Sequence, residues 1–222
     1  MDTPRAGSRQ RIFAWALAHF NTRYEQFISK YKRQLFADVS GNVIEIGPGT
    51  GVNLRYLPNG VRWIGVDPNP FMQSYLREEA QKVGLPIEYR VGTADALPAA
   101  DTSMDFVIST LVLCCVPSPK RCMQEILRVL KPGGKFLFIE HVAAPRGTRL
   151  RRIQNLITPV WKRLGDGCHP NRETWIDLES VGFGSVTHET ITAPTPIVSP
   201  QIVGVAVRSS PTSSTSSFST SQ

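Results

Sequence analysis

The run Val43-Ile44-Glu45-Ile46-Gly47-Pro48-Gly49-Thr50-Gly51 confines this chain to few architectures. An apolar stretch that breaks into three glycines at alternate positions reads as a buried strand ending in a tight loop, where positive φ or close backbone approach is required. In an α/β protein such a loop floors a cofactor crevice at the carboxyl end of the sheet. The spacing is G-x-G-x-G rather than the G-x-G-x-x-G of dinucleotide sites, and Glu45 stands where its carboxylate would repel a pyrophosphate. A carboxylate there suits a ligand that carries an ammonium and a sulfonium.

Two more carboxylates follow in order. Asp67 ends the second strand about 20 residues past the first glycine, where it can accept hydrogen bonds from both ribose hydroxyls, with Pro68 beside it. Alone it would suit NAD equally. Asp95, in Ala94-Asp95-Ala96, follows the third strand at the same edge and can accept from an adenine amino group; taken alone, an aspartate capping its own turn explains it better. Glu45, Asp67 and Asp95 together match the ammonium, ribose and adenine of S-adenosylmethionine. The candidate cofactor-binding residues are Glu45, Gly47, Gly49, Gly51, Asp67, Pro68, Ala94, Asp95, Ala96 and Thr110.

Strands are expected at 42–46, 62–66, 87–91, 105–112, 135–141, 185–192 and 202–208. Helices are expected from the glycine loop through Leu57, then at 71–83, 119–130 and 150–164, and from a cap at Asn171 to about Val181. This alternation implies parallel crossovers and a sheet buried on both faces. Residues 9–37 repeat Phe13, Leu17, Phe20, Tyr24, Phe27, Tyr31 and Leu35 at helical spacing, as one or two amphipathic helices that cover a sheet edge, the cofactor, or both.

With 222 residues and 41% hydrophobic content, one domain is expected over 1–208. Within it, 1–38 forms the covering helices and 146–170 a basic helix and acceptor-side loop. The Ser/Thr-rich stretch 209–222 reads as a disordered tail. The net charge of +7 concentrates at Arg5, Arg9, Arg11, Arg23, Lys30, Lys32 and Arg33, and again at Arg146, Arg149, Arg151, Arg152, Lys162 and Arg163. Solvated helix faces account for such clusters, as does weak, salt-sensitive peripheral contact with an anionic membrane. The apolar run from Ile12 to Phe20 falls short of the roughly 20 residues a spanning helix requires, and no leader is evident, so a cytoplasmic monomer is expected. Cys114, Cys115, Cys122 and Cys168 show no C-x-x-C spacing, so no disulfide is expected; a metal site built from Cys114, Cys115, Cys168, His141 and His169 is disfavoured, because no pair has zinc-finger spacing and strand-end cysteines are often simply buried.

The set Glu45 to Gly51, Asp67, Ala94-Asp95-Ala96-Leu97-Pro98 and Leu130-Lys131-Pro132-Gly133-Gly134 resembles the class I S-adenosylmethionine-dependent methyltransferases, over roughly residues 40–208. The resemblance implies a Rossmann-like three-layer α/β sandwich, with a seven-stranded sheet in the order 3-2-1-4-5-7-6 and strand 7 antiparallel. Thr110 to Cys114, Arg128-Val129-Leu130, Glu140 to Ala144 and Asp166-Gly167-Cys168 look like the methyltransferase-like group that includes the mammalian microsomal alkyl-thiol S-methyltransferases. Those proteins begin with a hydrophobic anchor that is not seen here. Nucleic-acid substrates are disfavoured, since no Asn-Pro-Pro-aromatic tetrad ends the fourth strand and the basic clusters lack interleaved aromatics.

An apolar thiol is the expected small-molecule acceptor, with a quinone, phenol or lipid amine as O-, C- or N-acceptor alternatives. A thiol with a pKa near about 8.5 needs only modest activation. His141, at the end of the fifth strand, is the candidate catalytic residue, and a structural histidine is the competing reading; His169 is a second candidate. Tyr24, Leu113, Cys114, Trp161 and His169 are expected to bound the acceptor pocket, with Phe20 and Ile157 near them. Two other classes compete. One is a non-catalytic membrane-surface module, and the other an NAD(P)-dependent oxidoreductase, which Glu45 and the loop spacing oppose.

Overall fold

The computed structural model describes residues 7–20 and 22–210, so the expected tail lies outside the described residues except for Ser209 and Ser210. Seven strands form one sheet: β1 (Asn42–Ile46), β2 (Arg62–Asp67), β3 (Ile87–Val91), β4 (Met104–Thr110), β5 (Leu130–His141), β6 (Ser185–Thr192) and β7 (Pro200–Val207). Their order is β3-β2-β1-β4-β5-β7-β6. Strands β1 to β5 run parallel, and β7 is antiparallel to both β5 and β6. The helices are α1 (Ser8–Phe20), α2 (Thr22–Leu35), α3 (Met72–Val83), α4 (Pro119–Val129), α5 (Arg149–Leu164) and α6 (Thr174–Ser180). This is the Rossmann-like arrangement expected. Among the described residues no helix is long and apolar enough to cross a membrane.

Side chains on a strand alternate between faces. On one face Ile44, Ile46, Val107, Phe136 and Phe138 pack with Met123 and Ile126 of α4 and Leu178 of α6. On the other, Val43, Trp63, Phe106, Ile108 and Leu137 pack with Leu76 and Ala80 of α3 and with Phe36 and Val39 after α2. Tyr24 and Ile28 extend this second layer from α2 onto Ile139 and Val203. The same alternation places Glu45, Asp67 and His141 on the face that α2 and α3 cover.

Helix α4 begins as its sequence implies, with Pro119 in the first turn and Ser118 Oγ accepting from the Arg121 N–H at 3.4 Å. Other boundaries shift for local reasons. The glycine loop leads only to a 3-10 turn, Leu54–Tyr56, because Pro58 follows and β2 begins at Arg62. Helix α6 begins at Thr174 with Glu173 as its cap residue, and the Asn171 amide donates instead to Asn155 Oδ1 at 3.0 Å. Strand β4 stops at Thr110 because Leu111 turns to φ +60°.

Candidate active site

The carboxyl ends of β1, β2, β4 and β5, with α1, α2 and the loop after α5, bound a cavity of about 670 Å³. That is the size of a small-molecule site. Of the expected cofactor residues, Gly47, Gly49, Asp67, Pro68, Ala94, Asp95 and Thr110 line it. Gly47 has φ +58°, and a Cβ there would meet Val112 Cγ2 at 2.6 Å, so backbone alone forms this part of the floor.

Asp67 is 6% exposed. Its Oδ1 accepts from the Asn69 N–H at 2.8 Å and its Oδ2 from the Gly49 N–H at 3.3 Å. Burial pushes its pKa up to about 6, against the pull of those two bonds. A buried carboxylate facing a cavity is suited to accept from hydroxyl donors.

Three expected cofactor residues are placed outside the lining. Gly51 turns the loop onto α3, where a Cβ would strike Leu76 Cδ1 at 2.6 Å. Ala96 is exposed on the turn beyond Asp95. Glu45 is 1% exposed and points beneath the floor, where Oε1 accepts from Asn53 Nδ2 at 2.7 Å and Oε2 from Trp63 Nε1 at 3.0 Å. Its bonds to the Asn53 amide and the Trp63 indole hold it there. Burial pushes its pKa up to about 7, opposed by the Asn53 and Trp63 bonds and by Lys32.

Asn53 and Lys32 belong to the cavity although neither stood out in the sequence. Asn53 Nδ2 also reaches Thr110 Oγ1 at 3.0 Å, while its Oδ1 is buried and has no hydrogen-bond partner among the described residues. Lys32 lines the cavity at 1% exposure, and its Nζ lies 2.7 Å from Glu25 Oε2. No other lysine or arginine among the described residues is buried. Burial lowers its pKa, against the pull of Glu25. Its amphipathic helix reads as a solvated basic face, which hides the one turn that faces inward.

The cavity's other end is held by the loop after β4. Glu140, fully buried, accepts through Oε1 from Ser109 Oγ at 2.7 Å and from the N–H groups of Val112 and Leu113 at 3.1 Å each. These bonds support the left-handed Leu111, a conformation costing about 1–2 kcal/mol. Tyr24, Cys114, Trp161 and His141 are among the residues that line the cavity. The Tyr24 hydroxyl donates to Gln201 Oε1 at 2.9 Å, and burial raises its pKa.

Leu113 and His169, expected in the pocket, are not part of its lining. Leu113 is fully buried in the core under α4. His169 Nδ1 lies 3.1 Å from Arg172 Nη2 and 3.3 Å from the Cys114 carbonyl; burial and then the Arg172 charge lower its pKa. The side chain of Phe20 is outside the described residues.

His141, 3% exposed, meets Cys168, whose sulfur lies 2.9 Å from His141 Nε2 and accepts from Trp161 Nε1 at 3.3 Å. Cys114, then Cys115 and His141, hold the Cys168 thiol well below its usual pKa, whereas burial pushes Cys114 up. The sulfurs of Cys114 and Cys168 and a ring nitrogen of His141 lie within 4.8 Å of one another, although 54 residues separate the two cysteines (168 − 114). Of the five residues that the sequence offered as a disfavoured metal set, these three are the ones brought together.

Helix α1 forms part of the cavity wall. Phe13 and Leu17 face the cavity, Asn69 Nδ2 donates to the Gln10 carbonyl at 3.0 Å, and Arg9 Nη2 donates to the Lys162 carbonyl of α5 at 3.5 Å.

The chain matches the methyltransferase domain family over residues 44–138. It is 39% identical over 211 residues to thiol S-methyltransferase TMT1B of Rattus norvegicus, covering 88% of this chain and 86% of that protein. It is 37% identical over 212 residues to thiol S-methyltransferase TMT1A of Homo sapiens, covering 90% and 87%. An S-adenosylmethionine-dependent methyltransferase from Aquifex aeolicus has a similar fold, with a TM-score of 0.59 at 17% identity over 89% of this chain and 97% of that one. The chain belongs to the family of the TMT1A and TMT1B proteins and is a class I S-adenosylmethionine-dependent methyltransferase.

Proposed function

We propose that the enzyme methylates the sulfur of an apolar thiol. The observation that carries this reading is the apolar wall at the acceptor end of the cavity, where Tyr24, Leu111, Val116 and Trp161 line the space beside the His141–Cys168 pair. The names of the TMT1A and TMT1B relatives agree with it.

The residues fit the methyl donor. Asp67 would accept from the ribose hydroxyls, and Asp95 with the Ala94 backbone would hold the adenine. The unpartnered Asn53 Oδ1 would accept from the ammonium, and Glu45, bonded to the same amide, would contribute its charge from beneath. Lys32 would face the carboxylate. When bound, the donor supplies a methyl group on a sulfonium, already a good electrophile. The protein's work is then to hold the acceptor sulfur in line and keep water out, and α1 with Phe13 and Leu17 is suited to the second task. Screening labelled methyl transfer against thiols, phenols, quinones and amines tests the reading: a thioether product is expected, and turnover of phenols or quinones without any thiol product would overturn it.

A membrane-surface location is also favoured. Leu156, Val160 and Leu164 of α5 are 80%, 61% and 75% exposed, and Ile12 of neighbouring α1 is 65% exposed. Arg11, Arg152, Lys162 and Arg163 are exposed on the same two helices. The exposed apolar face lies on α5 rather than on Phe13 and Leu17, which turn inward. An apolar strip on helices that also expose basic residues suits shallow burial among anionic headgroups.

A further inference from the structure

The corner where the loop after β4 and the loop after α5 meet the end of β5 carries donors that cofactor binding does not use. Cys114, His141 and Cys168 are 1%, 3% and 8% exposed, and all three line the cavity. Two sulfurs and an imidazole with no carboxylate among them favour zinc and other thiophilic cations over magnesium or calcium. Three protein ligands beside an open cavity is the coordination of a catalytic zinc rather than a structural one.

We propose that Cys114, Cys168 and His141 form a binding site for zinc or a similar thiophilic divalent cation, with its remaining position open to the cavity. The assignment of that position to the acceptor's sulfur rests on the thiol reading above; the site itself does not.

The geometry requires little movement. Zinc lies about 2.3 Å from sulfur and about 2.0–2.1 Å from imidazole nitrogen in a tetrahedral site, which sets a sulfur–nitrogen separation of about 3.5 Å. The 2.9 Å contact between His141 Nε2 and Cys168 Sγ would open by about 0.6 Å. Trp161 Nε1 already donates to the Cys168 sulfur, an outer-shell bond of the kind that steadies a thiolate ligand. His141 Nδ1 has no partner among the described residues, so a proton can rest there and leave the Nε2 lone pair, now turned to Cys168, for the metal. The same lack removes a bond that strengthens zinc–histidine sites by about 10–100-fold, so an exchangeable metal is expected rather than a permanently loaded one.

The chemistry balances without another reactant. A thiol entering the open position loses its proton to solvent and binds as thiolate. Its sulfur lone pair forms the new S–CH3 bond as the methyl–sulfonium bond breaks, and that bond's electron pair stays on the donor's sulfur. The neutral thioether product ligates more weakly than the thiolate and leaves.

Full-length protein, reduced with a phosphine and free of added thiol, is titrated with Co2+ and followed by sulfur-to-cobalt charge-transfer absorption and equilibrium dialysis. One bound equivalent is expected, displaceable by Zn2+. Affinity should fall roughly tenfold or more in Cys114→Ser and Cys168→Ser and stay unchanged in Cys122→Ser, a residue of α4 buried in the core. Retained S-adenosylmethionine binding shows that the variants are folded. A small apolar thiol should shift the spectrum as it becomes a ligand. No stoichiometric uptake, or equal uptake by all four proteins, overturns the site; uptake with no response to thiols overturns the open-position assignment. Full-rate thiol methylation by chelated, metal-free enzyme overturns a catalytic metal and leaves the thiol reading standing. Metal uptake by an enzyme that methylates phenols but no thiol does the reverse.

Discussion

Trp63 Nε1 donates to Glu45 Oε2 at 3.0 Å, reaching across Gly65, the residue paired with Glu45 between β1 and β2. A Cβ on Gly65 would collide with the indole, so the glycine makes this bond possible. The bond keeps Glu45 under the cavity floor. Because the folded pKa, about 7, lies above the ordinary 4.5, the native state holds a proton that the unfolded chain releases, and stability contributed by Glu45 is lost as pH rises through 7. Glu45→Gln keeps an acceptor and removes the charge. It should match the parent near pH 4, below the unfolded value, and exceed it in stability by about 3 kcal/mol above pH 8. Denaturant melts at both pH values check this, and a difference that does not vary with pH would refute it.

Asp67 makes the cofactor site pH-dependent. Its carboxylate, with a pKa near 6 through burial, must be ionised to accept two ribose hydroxyls, so S-adenosylmethionine affinity should weaken as pH falls below 6. Asp67→Ala should lose about 1.5–3 kcal/mol of charge-assisted bonding, tenfold to a hundredfold in affinity, and remove most of that pH dependence. Calorimetric titrations at pH 5 and 7.5 measure both effects; equal affinity in variant and parent would remove Asp67 from the site.

Lys32 should discriminate the amino-acid end of the ligand. Its buried pair with Glu25, whose Oε1 also accepts from the Tyr56 hydroxyl at 2.8 Å, means that Lys32→Met leaves a buried carboxylate short of its counter-ion. The loss should be about 3–5 kcal/mol of stability. Affinity for S-adenosylhomocysteine should fall tenfold or more, a loss of about 1.4 kcal/mol, while methylthioadenosine, which has no carboxylate, binds as before. Equal losses for the two ligands would show that Lys32 acts only through folding.

The α5 face should bind membranes in a way that outlasts salt. Burying Leu156, Val160 and Leu164 gains up to about 1.5–3 kcal/mol each, whereas the arginine and lysine attraction is screened within about 3 Å at 1 M salt. Partial binding to anionic vesicles should therefore survive 1 M salt and disappear in Leu156→Asp/Val160→Asp. Vesicle co-sedimentation measures this; binding lost entirely at high salt in the parent would leave only the weak electrostatic contact expected from the charge clusters.

What could be read from the chain alone were features written in adjacent residues. Strand-forming runs, the Ser118-Pro119 helix start and the glycine loop all act through their own backbone, and they led to the sheet order through the family they resemble. Asp67 and Asp95 were legible for the same reason, since the end of a parallel strand always opens at the cofactor edge. The direction of the Glu45 side chain was not legible, because the Asn53 amide and the indole waiting across Gly65 decide which way it faces. The inward turn of Lys32, the orphan oxygen of Asn53 and the meeting of Cys114, His141 and Cys168 were decided only in the tertiary structure. Each depends on separate segments brought together by packing, and no local spacing records such contacts.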